Sequence, residues 1–158
     1  MPNWVKNKII VKKGEFSKYM EGDSFDFEKV IPYPTSPVGL EERFLGTEHL
    51  QVIDGKDWFN WYTWCVEKWG TKWNASEFIQ EDENVLSFET AWSFPEPIFE
   101  EIAKSNPDWE FEVRFADEDF GYNTGYAIYK NGKMHKGYAY KGGSVAAKKN
   151  ADSVWVIG

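Results

Sequence analysis

The sequence predicts an α+β fold built on one antiparallel sheet, and three observations predict it. Trp109-Glu110-Phe111-Glu112-Val113-Arg114-Phe115 alternates strictly between apolar and charged residues, the pattern of a strand with one face on a core. Asn131-Gly132 separates two extended segments, and both residues tolerate positive φ, which favours a type I′ hairpin. Trp58, Trp61, Tyr62, Cys65 and Trp69 recur at the spacing of one helical face, so a helix accompanies the strands.

Each element follows in order. Trp4 to Val11 is rich in β-branched residues and bounded by Gly14, which reads as a strand. Glu15 to Met20 reads as one short helix. Pro32, Pro34 and Pro37 each remove a backbone donor and bias their predecessors to extended conformations, so residues 21–56 read as an irregular loop with a weak helix near Leu40 to Phe44. Asp57 is positioned to cap the tryptophan-rich helix, and Gly70 to end it, because glycine enters the left-handed region without a Cβ penalty. Thr71 to Gln80 and Asn84 to Trp92 form a hairpin around Glu81-Asp82-Glu83; Leu86, Phe88, Thr90 and Trp92 share one face of its second strand. A helix opens at Pro95-Glu96-Pro97, runs through Ile98, Phe99, Ile102 and Ala103, and stops at Asn106-Pro107.

Strand, helix, strand, strand, helix, strand is the βαββαβ order of a ferredoxin-like fold, in which helices cover one face of an antiparallel sheet. The opposite face is expected to be partly exposed. A C-terminal β-hairpin follows, and Lys141-Gly142-Gly143-Ser144 introduces a short tail. All 158 residues fit a single domain, with a core over 1–130 and an extra basic hairpin and tail over 131–158.

Composition narrows the function classes. Hydrophobic residues make 42% and charged residues 28%, which excludes a disordered or collagen-like chain. Aromatic residues reach 18%, with 9 Trp, 8 Tyr and 12 Phe, so either a core or a stacking site must hold them; most of the tryptophans are expected in the core. Eighteen basic against 26 acidic residues give a net charge of -8, which disfavours nucleic acid and anionic membranes as partners. The charge is uneven. Six lysines (130, 133, 136, 141, 148, 149) against Asp152 alone give residues 120–158 a charge of +5, leaving -13 on residues 1–119. The hairpin either neutralises an acidic sheet or presents a basic, tyrosine-rich surface to an anionic ligand. Cys65 is the single cysteine, so no intramolecular disulfide forms and a cytoplasmic location is expected. Neither a secretory signal nor a membrane span is expected, since no stretch approaches the required apolar length.

Met1-Pro2-Asn3-Trp4 with Asn7, the run Trp69-Gly70-Thr71-Lys72-Trp73-Asn74, and Phe88-Glu89-Thr90-Ala91-Trp92 before Pro95 together resemble one family. It is the YubB-type ferredoxin-like domain of phage and plasmid accessory proteins. Ala116-Asp117-Glu118-Asp119 followed by Gly121, Asn123 and Gly125 matches the family's acidic run and glycines. The similarity covers roughly residues 1–130 and implies the same fold, with a role in a mobile element. It implies no catalytic residue.

The sequence offers few groups for chemistry. Asp117, Glu118 and Asp119 begin like a calcium loop, but the remaining EF-hand positions are Gly121, Tyr122 and Ile128, and none suits its role. His49 and His135 lack metal-ligand spacing, so neither a metal nor a cofactor is expected. Cys65 lies on the apolar helix face and reads as a buried small hydrophobe. The best pocket candidate is Lys72 between Trp69 and Trp73, with Thr90 and Trp92 on the adjoining strand and Asn3, Asn7 and Asp119 nearby, because a cation bracketed by indoles holds anionic or aromatic groups. Three readings follow. The leading one is a non-enzymatic accessory protein whose acidic surface binds a host or defence protein. The alternative is a small-molecule or nucleotide binder using the Trp/Lys pocket, and the third is a cation-assisted hydrolase using the acidic loop.

Overall fold

The computed structural model describes residues 3–33, 50–53, 56–59 and 61–156. In chain order its elements are β1 (Trp4–Lys13), β2 (Met20–Glu21), β3 (Ser24–Phe25), β4 (Leu50–Ile53), β5 (Lys56–Phe59), α1 (Trp61–Lys68), β6 (Ser76–Asp82), β7 (Val85–Ala91), α2 (Glu96–Ser105), β8 (Glu110–Asp117), β9 (Thr124–Lys130), β10 (Lys133–Ala139) and α3 (Val145–Trp155). Two 3-10 turns, Phe16–Tyr19 and Phe27–Lys29, flank the small β2–β3 hairpin.

β1 lies inside a six-stranded sheet ordered β10-β9-β8-β1-β7-β6. Every neighbouring pair is antiparallel, and Ile9 stands opposite both Leu86 and Val113. Numbered alone, β1, β6, β7 and β8 stand in the order 4-1-3-2. With α1 before the second and α2 before the fourth, this is the ferredoxin-like arrangement that the strand and helix order predicts.

Alternation along the strands sends Ile9, Leu86, Phe88, Phe111, Val113, Ala127 and Tyr129 to one face, where they meet Trp64, Cys65, Ile98, Phe99 and Ile102 of α1 and α2. Phe88 stacks on Phe25 at 4.8 Å and on Phe99 at 6.0 Å, and takes the edge of Phe27 at 5.5 Å. Each such buried ring contributes about 1.5–3 kcal/mol relative to an exposed one. The phenylalanines build this core more than the tryptophans do. Of the tryptophans with described side chains only Trp64 and Trp69 are buried, and Trp92 is 44% exposed, contrary to the expectation that most would be interior.

The second sheet face is a correction to the reading from sequence. Residues 145–155, expected as part of a short tail, form α3, which lies on the face opposite α1 and α2. Ser144 caps it by accepting from the Ala147 N–H at 3.1 Å. Ala151 and Val154 pack on Ala116 of β8. Asn150 accepts from Arg114 Nη1 at 2.9 Å, while its Nδ2 reaches Thr124 Oγ1 at 2.7 Å and the Gly125 carbonyl at 2.9 Å. Beside α3 the face is charged: Glu81, nearly buried, pairs with Lys8 at 3.1 Å and Lys6 at 3.8 Å, and Lys8 Nζ also donates to the Ser153 carbonyl at 2.8 Å. Helices therefore occupy both faces.

Three boundaries also shift. Residues Lys56–Phe59 pair with Leu50–Ile53 as a hairpin, so the tryptophan-rich helix begins at Trp61 rather than at an Asp57 cap. Its buried stripe passes through Trp64 and Cys65 and leaves Tyr62 41% exposed, because Trp64 docks flat on Tyr33 at 4.6 Å. Thr71 to Ala75 stays out of the sheet: Asn74 Oδ1 accepts from the Phe27 N–H at 2.9 Å, and its Nδ2 donates to Asp26 at 2.9 Å. Glu81 and Asp82 remain in β6, so the turn falls after Asp82. The expected Leu40 to Phe44 helix and His49 lie outside the described residues. Gly70 has φ 78°, and Asn131 and Gly132 have φ 56° and 79°, as the helix stop and the type I′ turn require.

Candidate ligand-binding site

α1 ends at Lys68, and Gly70 turns the chain so that Thr71 donates its hydroxyl to the Ala91 carbonyl at 2.7 Å. That bond sets Lys72 and Trp73 beside the end of β7. Lys72 Nζ lies 4.4 Å from the Trp73 ring centroid, 4.9 Å from Trp92 and 5.9 Å from Tyr62. Tyr62 meets Trp92 edge-on at 6.5 Å, and Trp4 extends the cluster against Trp73 at 5.8 Å. Among the described residues no carboxylate lies within ion-pair distance of Lys72. The rings attract the ammonium through their quadrupoles without neutralising it.

Trp92 has φ 67°, a left-handed conformation that is costly for a bulky residue. Its surroundings enforce it. The Trp92 N–H donates to the Asn3 carbonyl at 2.9 Å, and its own carbonyl accepts from Asn123 Nδ2 at 3.1 Å. Asp117, 6% exposed, holds both clamps: it accepts from Asn3 Nδ2 at 3.2 Å and from Asn123 Nδ2 at 3.4 Å, and also from the Asp119 N–H at 2.8 Å. Glu118 accepts from the Trp4 N–H at 3.1 Å. The structure thus engages Asp117 and Glu118 with backbone and amide donors, and no group of three or more His, Cys, Asp or Glu among the described residues is placed to hold a metal.

The residues singled out in the sequence divide in two. Lys72, Trp73 and Trp92 come together at the surface, and Asn3 supports Trp92. Trp69, Asn7 and Thr90 do not join them. Trp69 is 2% exposed and donates Nε1 to the Ile31 carbonyl at 2.9 Å. Asn7 is fully buried, donating Nδ2 to Thr90 Oγ1 at 3.0 Å, and Thr90 in turn donates to the Ser93 carbonyl at 2.7 Å. Tyr62 and Trp4 also belong to the cluster, which the sequence does not signal: Tyr62 matches a periodicity that assigns it to the core, and Trp4 opens a strand whose partners are distant in sequence.

Cys65 is buried against Tyr33, with 2.8 Å between Sγ and the hydroxyl. Burial pushes the thiol above its ordinary pKa, and the Tyr33 hydrogen bond only partly opposes this, so Cys65 is a poor nucleophile. Burial first, then the charge of Glu77, raises the Glu89 carboxyl. His135 is exposed on β10.

No curated protein matches the chain. A solved structure, the protein api92 from Yersinia pseudotuberculosis, shares 20% identity with a TM-score of 0.49. The match covers 75% of this chain and 40% of that one, so this chain corresponds to less than half of api92. A family model described as the ferredoxin-like domain in Api92-like protein matches residues 68–157, the stretch that holds Lys72, Trp73, Trp92, Asp117 and α3. By that match the chain belongs to the Api92-like ferredoxin-like domain family.

Proposed function

We propose that the chain is a non-catalytic binding domain that takes an anionic, planar group at the Lys72–Trp92 cluster, of the class that a nucleoside monophosphate represents. One observation carries this reading: Lys72 stands between two indoles with no carboxylate within ion-pair distance among the described residues, so its charge is available to an anion. Trp92, 44% exposed, supplies a face on which a ring can stack. Adenosine monophosphate is the probe, followed by tryptophan fluorescence and by melting temperature. Quenching and stabilisation that disappear in Lys72→Ala support the site. A panel of nucleoside monophosphates that moves neither signal overturns it.

A second reading is docking of the acidic body on a basic surface of a host or defence protein. It is motivated by the -13 charge of residues 1–119 and by the YubB-type resemblance, from which the phage or plasmid setting and, with the single cysteine, a cytoplasmic location are inferred. Such a complex weakens steeply as salt rises. A co-purifying protein whose retention ignores ionic strength argues against it. The hydrolase reading finds less support, since the oxygens of Asp117 already accept from Asn3, Asp119 and Asn123.

A further inference from the structure

The sheet face beside α3 carries a second aromatic group, separate from the Lys72 cluster. Tyr126 and Tyr138 stand directly opposite each other in the β9–β10 ladder, and the Tyr140 N–H bonds the Thr124 carbonyl one step further along. Their rings lie 6.3 Å apart for Tyr126 and Tyr138, 6.2 Å for Tyr126 and Tyr140, and 4.9 Å for Tyr138 and Tyr140. Arg114, the partner of Tyr126 in β8, holds its guanidinium 5.5 Å from the Tyr126 centroid. Tyr138 is 56% exposed.

Charge completes the surface. The ladder sets Lys130 opposite Lys133 and Lys136 opposite Ile128, so by strand alternation these lysines share the face of Tyr126 and Tyr138. The β8 acids that come nearest are already paired: Glu112 with Arg114 at 3.0 Å and Glu110 with Lys13 at 3.7 Å. Residues 120–158 contain Asp152 as their single acid. This stretch of sheet beside α3, with Tyr138, Lys133 and Lys136 exposed and Tyr126, Tyr140 and Lys130 half-buried, sets adjacent tyrosines, a guanidinium on one ring and a row of lysines together, which combines base stacking with backbone attraction.

We propose that the Tyr126–Tyr138–Tyr140 face is a stacking platform for single-stranded nucleic acid. The net charge of -8 opposes a protein that binds duplex by neutralising phosphates, and a duplex keeps its base faces stacked inside. A single strand offers those faces to the tyrosines, while the local lysines draw its phosphates to the hairpin and away from the acidic body.

Fluorescence anisotropy with labelled single-stranded DNA and RNA of mixed sequence, about 16 nucleotides long, tests the assignment in low-salt buffer. The expected result is binding of at least one probe, with a duplex of equal length bound about tenfold more weakly and Tyr138→Leu/Tyr140→Leu losing about tenfold or more in affinity. The variant's melting curve checks that it remains folded, which the exposure of Tyr138 favours. No anisotropy change overturns the proposal. Equal affinity for duplex, effective competition by heparin alongside an unaltered tyrosine variant, or binding indifferent to the tyrosines likewise overturns it, since each reduces the effect to polyanion attraction.

Discussion

Asp117 governs the backbone of Trp92 through one intermediary on each side: Asn3, whose carbonyl receives the Trp92 N–H, and Asn123, whose amide donates to the Trp92 carbonyl, both donate to the same buried carboxylate. The acidic loop is thus a brace for the indole. Asp117→Ala removes an acceptor shared by Asn3, Asn123 and the Asp119 N–H, all on exposed residues, and it is expected to cost about 1–2 kcal/mol. Chemical denaturation measures the loss, and response to adenosine monophosphate should fall in the same variant. A fully stable Asp117→Ala protein with a normal ligand response contradicts the brace.

Trp92→Gly separates function from stability. Glycine relieves the strain of φ 67° while removing ring contacts that are half solvated, so the net change in stability is expected within about 1 kcal/mol. Ligand-induced quenching should vanish. A large destabilisation shows instead that Trp92 is a packing residue.

Phe88 is the opposite case. It touches Phe25, Phe27 and Phe99 and is fully buried, so Phe88→Ala is expected to cost about 3–5 kcal/mol, including the cavity it leaves. Equilibrium unfolding decides this, and a loss near that of a surface substitution argues against the packing described.

Asn150→Ala removes the hub that ties α3 to Arg114, Thr124 and Gly125. The expected cost is about 2 kcal/mol, concentrated in α3. Amide exchange should speed up in Val145–Trp155 while Ile9 and Val113, at the centre of the sheet, stay protected. Uniform acceleration through the sheet tells against local release.

Alkaline pH should destabilise the fold. Burial raises the Cys65 thiol and the Tyr33 and Tyr129 hydroxyls above their ordinary values; Tyr33 is lifted further by its bond to Cys65, and Tyr129 by the charges of Glu96 and Glu100. A folded-state pKa above the unfolded one means that the unfolded chain gives up its proton first. These groups contribute fully below about pH 8.5 for the thiol and about pH 10 for the tyrosines, and their contribution falls as pH rises beyond those values. Denaturant midpoints measured from neutral to strongly alkaline pH should decline, and Tyr129→Phe should flatten the upper part. A flat profile counts against the buried hydroxyls.

The sheet was legible where one local pattern sufficed. Alternation from Trp109 to Phe115 gave β8, and Asn131-Gly132 gave the turn between β9 and β10. Elements lacking such a pattern were misread. α3 has a polar, alanine-rich sequence, yet Ala147, Asn150, Ala151 and Val154, all buried, repeat at helical spacing behind the Ser144 cap; that signal was present beside two glycines that suggested a linker. Asp54-Gly55 is likewise a hairpin signal, but the tryptophan periodicity from Trp58 overrode it. The site was half legible. Lys72 and Trp73 are adjacent in sequence, whereas Trp92 and Tyr62 reach them only because Gly70 turns the chain and Thr71 binds the Ala91 carbonyl. Neighbourhood in sequence wrongly recruited Trp69, whose side chain points from the same turn into the core.

β10 leaves the sheet with an open rim, a row of backbone groups onto which a second copy's strand could be zipped. The ladder to β9 shifts register between Met134 and Lys136, which breaks the regular spacing such an addition needs. Lys133 and Lys136 would also confront their counterparts across any edge-to-edge join, at a cost in like-charge repulsion. The lysines that give the hairpin its charge therefore also guard the protein against polymerising through its own border.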